Sequence, residues 1–201
     1  MIASLLRTET AEKHKQLESL MFVNEIMNNS LSINGYKKLL TINYIIHQEL
    51  EPKLIQQLNQ EIASKLEMDK RVKLPALEKD LQYWKIDTNT RPDLNFEMFV
   101  PGNSTAEILG ALYVLEGATL GGNVIRKHIL ANTNFVNDAA GLSYYGVYGE
   151  ELGAKWKTFV SILNESVVEA DYDKCVNSAN ATFDNLINLS KQLAEEATIG
   201  E

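Results

Sequence analysis

The segment that decides the fold is AEILGALYVLEGATLGGNVIRKHIL, residues 106–130. Strong helix formers dominate it and its apolar residues recur at helical spacing, so it predicts one long helix over about residues 105–131. The same segment carries four glycines. Each interior glycine costs a helix roughly 0.8–1 kcal/mol relative to alanine. Four of them cost on the order of 3–4 kcal/mol, so the fold must compensate for them. They are Gly110, Gly117, Gly121 and Gly122.

Two explanations of these glycines remain open from the residues alone. Glycine lets a second helix approach closely, which needs no ligand. Alternatively, a broad flat ligand lies against the backbone and the pair at 121–122 bends the helix over it. Three of the glycines are spaced by seven and four residues and share a face, and small Ala118 and hydroxyl-bearing Thr119 lie between them. Such a face leaves room for a ligand and a small gas molecule.

Composition limits the class of protein. The 201 residues are 45% hydrophobic and 23% charged, which is enough for one core, so we expect one domain over residues 1–201. A net charge of −8 argues against nucleic acid or a membrane surface as a partner. Cys175 is the only cysteine, which fits a reducing cytoplasm. No signal peptide and no unbroken apolar run of about 18 residues is visible, so we expect a soluble cytoplasmic protein.

The rest of the chain also reads as helical, and no sustained alternation of period two occurs. The fold class predicted is all-α. Irregular connections are expected at 86–103 and 132–149, where proline, glycine and asparagine accumulate. The other predicted helices cover 3–21 with Ser4 as N-cap, about 32–67 with a kink or division at Pro52, Pro75 to Trp84 with Pro75 in the first turn, 150–169, and 172–195.

His14 is the strongest candidate ligand among three histidines. On a helical wheel it shares a face with Arg7, Thr10, Ala11, Leu17, Glu18 and Met21. Imidazole is a suitable axial ligand for haem iron, and Glu18, four residues on, can orient it. Arg7 lies two turns earlier, where it can meet a ligand carboxylate. His47 and His128 read as structural or solvated. No Glu-x-x-His pair exists, which disfavours a di-metal carboxylate protein.

Four stretches resemble haem oxygenases, in order and over almost the whole chain. LRTETAEKHKQLE (6–18) is similar to the proximal helix of that family, and SINGYKKLLTINYIIHQELEP (32–52) to its second helix. LYVLEGATLGGNVI (112–125) resembles the distal helix of bacterial, phytochrome-associated haem oxygenases, and YYGVYGEELGAKWKTF (144–159) resembles the segment that opens their next long helix. The distal segment is the most specific of the four.

The resemblance implies a helical bundle that holds haem between a proximal helix and a glycine-kinked distal helix. It assigns His14 as the axial ligand of the haem iron, with Glu18 beside it. Arg7 and Lys157 match positions that pair with the haem propionates. Ala118 stands where animal-type members carry an aspartate that organises distal water. The distal catalytic positions are Gly117, Thr119, Gly121 and Gly122.

The resemblance also implies the chemistry. Haem is both substrate and prosthetic group, O₂ and external electrons are consumed, and the products are biliverdin, CO and Fe²⁺. The electron donor is a ferredoxin, a flavodoxin or a reductase. An acidic donor needs a local positive rim, for which Lys13 and Lys15 beside His14 are candidates.

Two other classes of protein fit the sequence less well. A non-catalytic haem binder or carrier on the same fold would share the histidine and glycine features. A thiaminase-like pyrimidine hydrolase needs a cysteine nucleophile beside carboxylates. Cys175 follows Asp171 and Asp173 but has no evident base, so it reads better as a core thiol.

Overall fold

The computed structural model describes residues 1–88, 92–135 and 139–199, with side chains up to residue 194, and its regular secondary structure there is entirely helical. The all-α prediction is confirmed. The α-helices are α1 (Ile2–Glu9), α2 (Ala11–Leu20), α3 (Val23–Met27), α4 (Ile33–Gln57), α5 (Gln60–Leu66), α6 (Leu74–Tyr83), α7 (Thr105–Ala131), α8 (Leu152–Ser166) and α9 (Tyr172–Ile199).

Helix α7 runs without interruption through all four of its glycines, with the bounds that the sequence predicts. A capping box starts it. The Ser104 hydroxyl accepts a hydrogen bond from the backbone N–H of Glu107 at 3.3 Å, and the Glu107 carboxylate accepts one from the N–H of Ser104 at 3.3 Å. These bonds satisfy two N–H groups that a helix start leaves unpaired. The bend predicted at residues 121–122 does not break the helix, and neither glycine has a positive φ.

The first predicted helix, 3–21, is divided at Thr10 into α1 and α2. The Thr10 hydroxyl donates to the Leu6 carbonyl at 2.7 Å, an alternative to regular helical pairing that serine and threonine favour at helix ends. Helix α1 already begins at Ile2, so Ser4 is not its N-cap. A short helix, α3, follows Phe22, whose left-handed backbone (φ 55°) is unusual for an aromatic residue.

The division predicted at Pro52 is wrong, because α4 continues through this residue. Proline removes one backbone donor, but the surrounding positions Leu50 and Leu54 are completely buried, and their packing keeps the helix intact. The chain breaks instead at residues 58–59. There the Asn59 side chain accepts hydrogen bonds from the backbone N–H groups of Glu61 and Ile62, in the first turn of α5.

The later elements are close to prediction. Pro75 lies in the first turn of α6, as expected. Helix α8 starts two residues later and ends three residues earlier than the predicted 150–169, with short 3₁₀ helices at Gly149–Glu151 and Glu169–Asp171. The connections at 86–103 and 132–149 are irregular apart from a 3₁₀ helix at Tyr144–Gly146, and residues 89–91 and 136–138 of them lie outside the described part.

Helix α7 is the centre of the bundle and packs most extensively against α9. At their crossing, a Cβ added to Gly110 would lie 2.2 Å from the Cys175 carbonyl oxygen, so the close approach requires glycine. Helix α2 also packs against α9, and α8 packs against α7. These pairings leave a space between α2 and α7 that α8 and α9 close.

By length and composition α7 alone, among the helices described, could cross a membrane, with a mean hydropathy of 1.4 in its most apolar window. Half of that window is buried inside the protein. The core helix of a soluble protein meets the same criterion, so this is weak evidence for a membrane segment.

Candidate active site

A cavity of about 630 Å³ lies between α2 and α7. Its volume is in the range of pockets that bury cofactors and other small ligands. The α1–α2 wall contains Arg7, Thr10, Ala11, His14, Lys15, Leu17 and Glu18. The α7 wall contains Tyr113, Val114, Gly117, Ala118 and Leu120, and α8 and α9 contribute Trp156, Phe183 and Leu186. The histidine and the glycine-rich helix thus face each other across one slot, as the sequence predicts.

The His14 side chain is 60% exposed and opens onto the cavity. Its Nδ1 atom lies 3.6 Å from Oε1 of Glu18, one turn later on α2. The imidazole meets the ring of Phe183 edge-on, with centroids 5.9 Å apart and planes at 74°. Glu18 and Phe183 therefore restrict the ring from two sides, and Nε2 is the nitrogen left to bind a ligand.

An ion pair fixes the same part of α2 to α9. The Lys13 ammonium contacts the Asp184 carboxylate, and these two residues directly precede His14 and follow Phe183 in sequence. The Lys13–Asp184 ion pair and the His14–Phe183 ring contact both join α2 to α9, and together they fix the position of the imidazole at the cavity. Lys13 is engaged here, whereas Lys15 lines the cavity.

Gly117 and Ala118 form the part of the α7 wall with the least side chain. A Cβ added to Gly117 would lie 3.8 Å from the indole of Trp156, so the glycine keeps the space in front of that ring open. Trp156 in turn stacks on buried Phe159, with centroids 5.6 Å apart and planes at 28°. The indole is therefore a fixed surface at the back of the cavity.

The other glycines of α7 have different surroundings. Gly110 serves the contact with α9, and a Cβ on Gly122 would lie 3.1 Å from the Tyr145 carbonyl oxygen, so both allow close packing. Gly121 is exposed, and its added Cβ would contact only Ile125, at 4.0 Å. The close-packing explanation holds for Gly110 and Gly122, whereas Gly117 leaves space in the cavity in front of Trp156.

Four predicted site residues do not line the cavity, namely Thr119, Gly121, Gly122 and Lys157. The Thr119 hydroxyl donates to the Glu116 carbonyl at 2.6 Å inside α7, and its side chain lines a separate void of about 10 Å³ with Tyr144 and Tyr148. Lys157 is exposed on α8, one residue after Trp156. The Thr119 side chain points to the Tyr144 side of α7, and Lys157 lies about 100° around α8 from Trp156, on the exposed face.

Arg7 and Lys15 bring positive charge to the cavity. Tyr113 stands opposite them on α7. Burial raises the pKa of Tyr113, while a hydrogen bond with Thr10 and the charge of Arg7 oppose that rise. The two cations and this phenol give the mostly apolar cavity one polar region that suits an anionic group.

Several lining residues escaped the sequence analysis, namely Tyr113 on α7 and Phe183 and Leu186 on α9. Tyr113 lies inside a segment singled out for its glycines, so its position one turn before Gly117 could have indicated it. Phe183 and Leu186 lie in a long amphipathic helix whose contacts depend on tertiary packing, and no local signal separates them from core residues.

The remaining histidines and the cysteine lie away from the cavity. His47 is buried and its Nδ1 lies 3.3 Å from the Glu51 carboxylate, while Nδ1 of His128 lies 2.9 Å from the side-chain oxygen of Asn29. Burial raises the pKa of the Cys175 thiol to about 12, so it stays protonated. In residues 1–88, 92–135 and 139–199, no group of three or more His, Cys, Asp or Glu side chains could hold a metal ion.

The family follows from one comparison. A family model described as "Heme oxygenase" matches residues 1–192. The chain belongs to the haem oxygenase family. A curated relative, "Heme oxygenase 1" of Nostoc sp., is 24% identical over 204 residues, which cover 96% of this chain and 85% of the relative.

Two solved structures of family members share the fold. Haem oxygenase from Leptospira interrogans superposes with a TM-score of 0.74 at 18% identity and covers 95% of this chain and 98% of its own. Haem oxygenase-1 from the cyanobacterium Synechocystis sp. PCC6803, in complex with heme, gives a TM-score of 0.72 at 20% identity and covers 99% and 96%. The family match and the helical fold therefore agree.

Proposed function

We propose that this haem oxygenase family member is a catalytically active haem oxygenase. It binds haem and cleaves it with O₂ and external electrons to biliverdin, CO and Fe²⁺. The observation that carries the proposal is that His14 and the side-chain-poor Gly117–Ala118 segment face each other across one cavity. Family membership and the heme complex of the Synechocystis relative support it.

The cavity suits haem in shape and chemistry. Its lining is mostly apolar and aromatic, which favours a planar macrocycle. His14 supplies a neutral nitrogen donor for iron, and the Glu18 carboxylate orients the ring and raises its basicity. Arg7 and Lys15 supply charge for the propionates. Lys157, one residue beyond Trp156, remains a second proposed propionate partner from the α8 side.

Bound haem supplies the iron that reacts with O₂, and the protein positions the macrocycle and limits access to it. Gly117 and Ala118 leave space on the distal side for a small gas molecule. Ala118 carries no carboxylate, so distal polarity has to come from backbone groups and water. We propose that Thr119, Gly121 and Gly122 act indirectly: Gly122 by close packing on Tyr145, Thr119 by its bond within α7, and Gly121 by the absence of a side chain.

The proposal includes a single domain over residues 1–201, supported by the family match over 1–192. It also includes a cytoplasmic location, which the buried thiol of Cys175 suits, and an acidic ferredoxin, flavodoxin or reductase as electron donor. Lys15 is exposed next to His14 and is the lysine of the two candidates that is not paired to Asp184.

A turnover experiment tests the enzyme against the haem carrier. Purified protein is loaded with ferric haem, then given a reductant and air, and spectra are followed. An active enzyme converts the haem band to that of biliverdin and releases Fe²⁺ that a ferrous chelator captures. Persistence of intact haem in a stable oxygenated complex would show that the protein is a carrier. Omission of the reductant is the control, and it should leave the haem unchanged.

A further inference from the structure

A buried ionic cluster lies behind the α7 wall, on the side away from His14. Glu116 directly precedes Gly117 and is 2% exposed. Its carboxylate contacts the Arg71 guanidinium and the Lys73 ammonium and accepts a hydrogen bond from the Tyr148 hydroxyl at 2.9 Å. Arg71 and Lys73 are each 2% exposed as well.

The cluster connects α7 to α4, α5 and α8. Arg71 also donates to the Leu66 carbonyl at 2.6 Å and to the Lys155 carbonyl at 3.0 Å, which joins the end of α5 to α8. The Lys73 backbone N–H donates to Glu51 of α4 at 2.8 Å. This backbone hydrogen bond joins α4 to the cluster, whose ionic contacts are those of Glu116 with Arg71 and Lys73.

Such a cluster is poorly explained by stability alone. Taking charges out of water costs several kcal/mol per ion, and well-packed apolar residues often stabilise a fold as well or better. A buried ion pair does, however, define one geometry, because each charge must meet its partner. A role in placing α7 accounts for the cluster better than a role in holding the fold together.

The cavity side of α7 cannot fix the helix by itself. Gly117 has no side chain, and even an added Cβ would meet only the Trp156 ring, at 3.8 Å; a Cβ added to Gly121 would meet only Ile125 of the same helix. The contacts that set the rotation of α7 near Gly117 must therefore lie on the face of the helix that points away from the cavity. Glu116 is one residue before Gly117, so its charged contacts act on this part of α7.

We propose that Glu116 is a positioning residue for the distal wall. Its buried contacts with Arg71, Lys73 and Tyr148 set the rotation of α7 and so the place of Gly117 and Ala118 in the cavity. The inference rests on the proposed haem site for its effect on ligand binding, but its geometric part concerns the protein without haem.

The test uses Trp156 as a reporter in the full-length protein. The chain has two tryptophans, and Trp84→Phe leaves only Trp156, whose ring lies in front of Gly117. In that background Glu116→Gln is compared with Glu51→Gln, a matched loss of a buried carboxylate that bonds to His47 and to the backbone N–H groups of Lys73 and Leu74, outside α7. The readouts are Trp156 emission and acrylamide quenching without haem, the dissociation constant for haem, and the Tm.

We expect both variants to lower the Tm. Glu116→Gln leaves the Arg71 and Lys73 cations with less compensating charge, and Glu51→Gln weakens the hydrogen bonds to His47 and to the backbone N–H groups of Lys73 and Leu74. Only Glu116→Gln should shift Trp156 emission and weaken haem binding, by about tenfold. Unchanged emission and affinity in Glu116→Gln, or equal changes in Glu51→Gln, would overturn the positioning role. If Glu116→Gln does not fold, Tyr148→Phe removes one hydrogen bond to the same carboxylate and should give a smaller shift in the same direction, whereas no shift contradicts the role.

The two proposals fail separately. If the unsubstituted protein binds no haem, the proposed function is wrong, while the emission of Trp156 still reports whether Glu116 places α7. If haem binds normally in every variant and emission is constant, only the positioning role is wrong.

Discussion

Oε1 of Glu18 lies 3.6 Å from Nδ1 of His14, one helical turn further along α2 and at the edge of the cavity. A carboxylate in this place favours the tautomer that carries its proton on Nδ1 and leaves Nε2 free to bind iron. Both side chains are about half exposed, so the contact acts on orientation rather than on the stability of the fold.

Replacement of Glu18 tests this orienting role. Glu18→Gln keeps the shape of the side chain but removes its charge, and we expect haem affinity to fall about tenfold because the imidazole loses its orienting anion. Haem titration followed by absorbance measures the effect. Glu12→Gln on the exposed side of α2 is the control and should bind haem like the unsubstituted protein. Equal haem affinity of all three proteins would show that Glu18 does not orient His14.

Gly117→Leu tests the open distal wall. The new side chain must enter the space in front of Trp156, where even a Cβ would come within 3.8 Å of the indole. We expect haem binding or turnover to be lost while far-UV circular dichroism stays helical, since leucine favours helix more than glycine does. Lys127→Leu, an exposed position of the same helix, is the control for an added apolar side chain. Full turnover by Gly117→Leu would show that the ligand does not lie against α7 here.

Gly110→Ala tests the crossing of α7 and α9. The added methyl group would lie 2.2 Å from the Cys175 carbonyl oxygen, and a backbone atom cannot move aside cheaply. We expect the free energy of unfolding to fall by about 3 kcal/mol. Gly153→Ala is the matched control on α8, where the new Cβ meets nothing within 4 Å. That control should be neutral or more stable by up to roughly 1 kcal/mol. Equal stability of both variants would contradict the close crossing.

Buried His47 predicts a loss of stability in mild acid. Burial lowers the pKa of His47 below its ordinary 6.5, and this outweighs the hydrogen bond and charge of Glu51 and the charge of Glu116, while Lys73 lowers it further. The unfolded chain therefore takes up a proton at a higher pH than the folded protein, so stability present above pH 6.5 falls as the pH drops through that value. The slope contributed by one such group is at most about 1.4 kcal/mol per pH unit.

Glu51 acts in the same direction at lower pH. Burial by itself raises the pKa of its carboxyl, but the contacts with His47 and the backbone N–H groups of Lys73 and Leu74 lower it overall. Urea unfolding between pH 7.5 and 5.5 measures the slope, and His47→Gln should flatten it. The same slope in His47→Gln would assign the acid sensitivity to other groups.

Helical periodicity in the sequence predicted α7 and the cavity-facing side of α1 and α2 well, because both depend only on residues close together in the chain. Helix α7 has its predicted bounds, and the residues predicted to share a face with His14, from Arg7 to Glu18, line the cavity, since helical geometry alone fixes that face. Met21, at the end of α2, does not line it. Helix α2 ends at Leu20, so Met21 belongs to an irregular turn instead of the helical face. Nothing in the sequence predicts the positive φ of Phe22 in that turn.

Tertiary packing decided what the sequence could not. Pro52 normally ends a helix, yet α4 continues because the residues around it are buried in the core. The contribution of Phe183 to the site and the pairing of Glu116 with Arg71 and Lys73 join residues that are far apart in the chain. Periodicity within one segment carries no information about such partners.

Haem titration of His14→Ala tests the central claim most directly. The unsubstituted protein should bind one ferric haem with the absorption spectrum of histidine ligation. His14→Ala should lose that spectrum and its turnover, and added imidazole should restore the spectrum because the cavity remains. If His14→Ala keeps the same spectrum and the same rate of biliverdin formation, His14 is not the iron ligand and the site lies elsewhere.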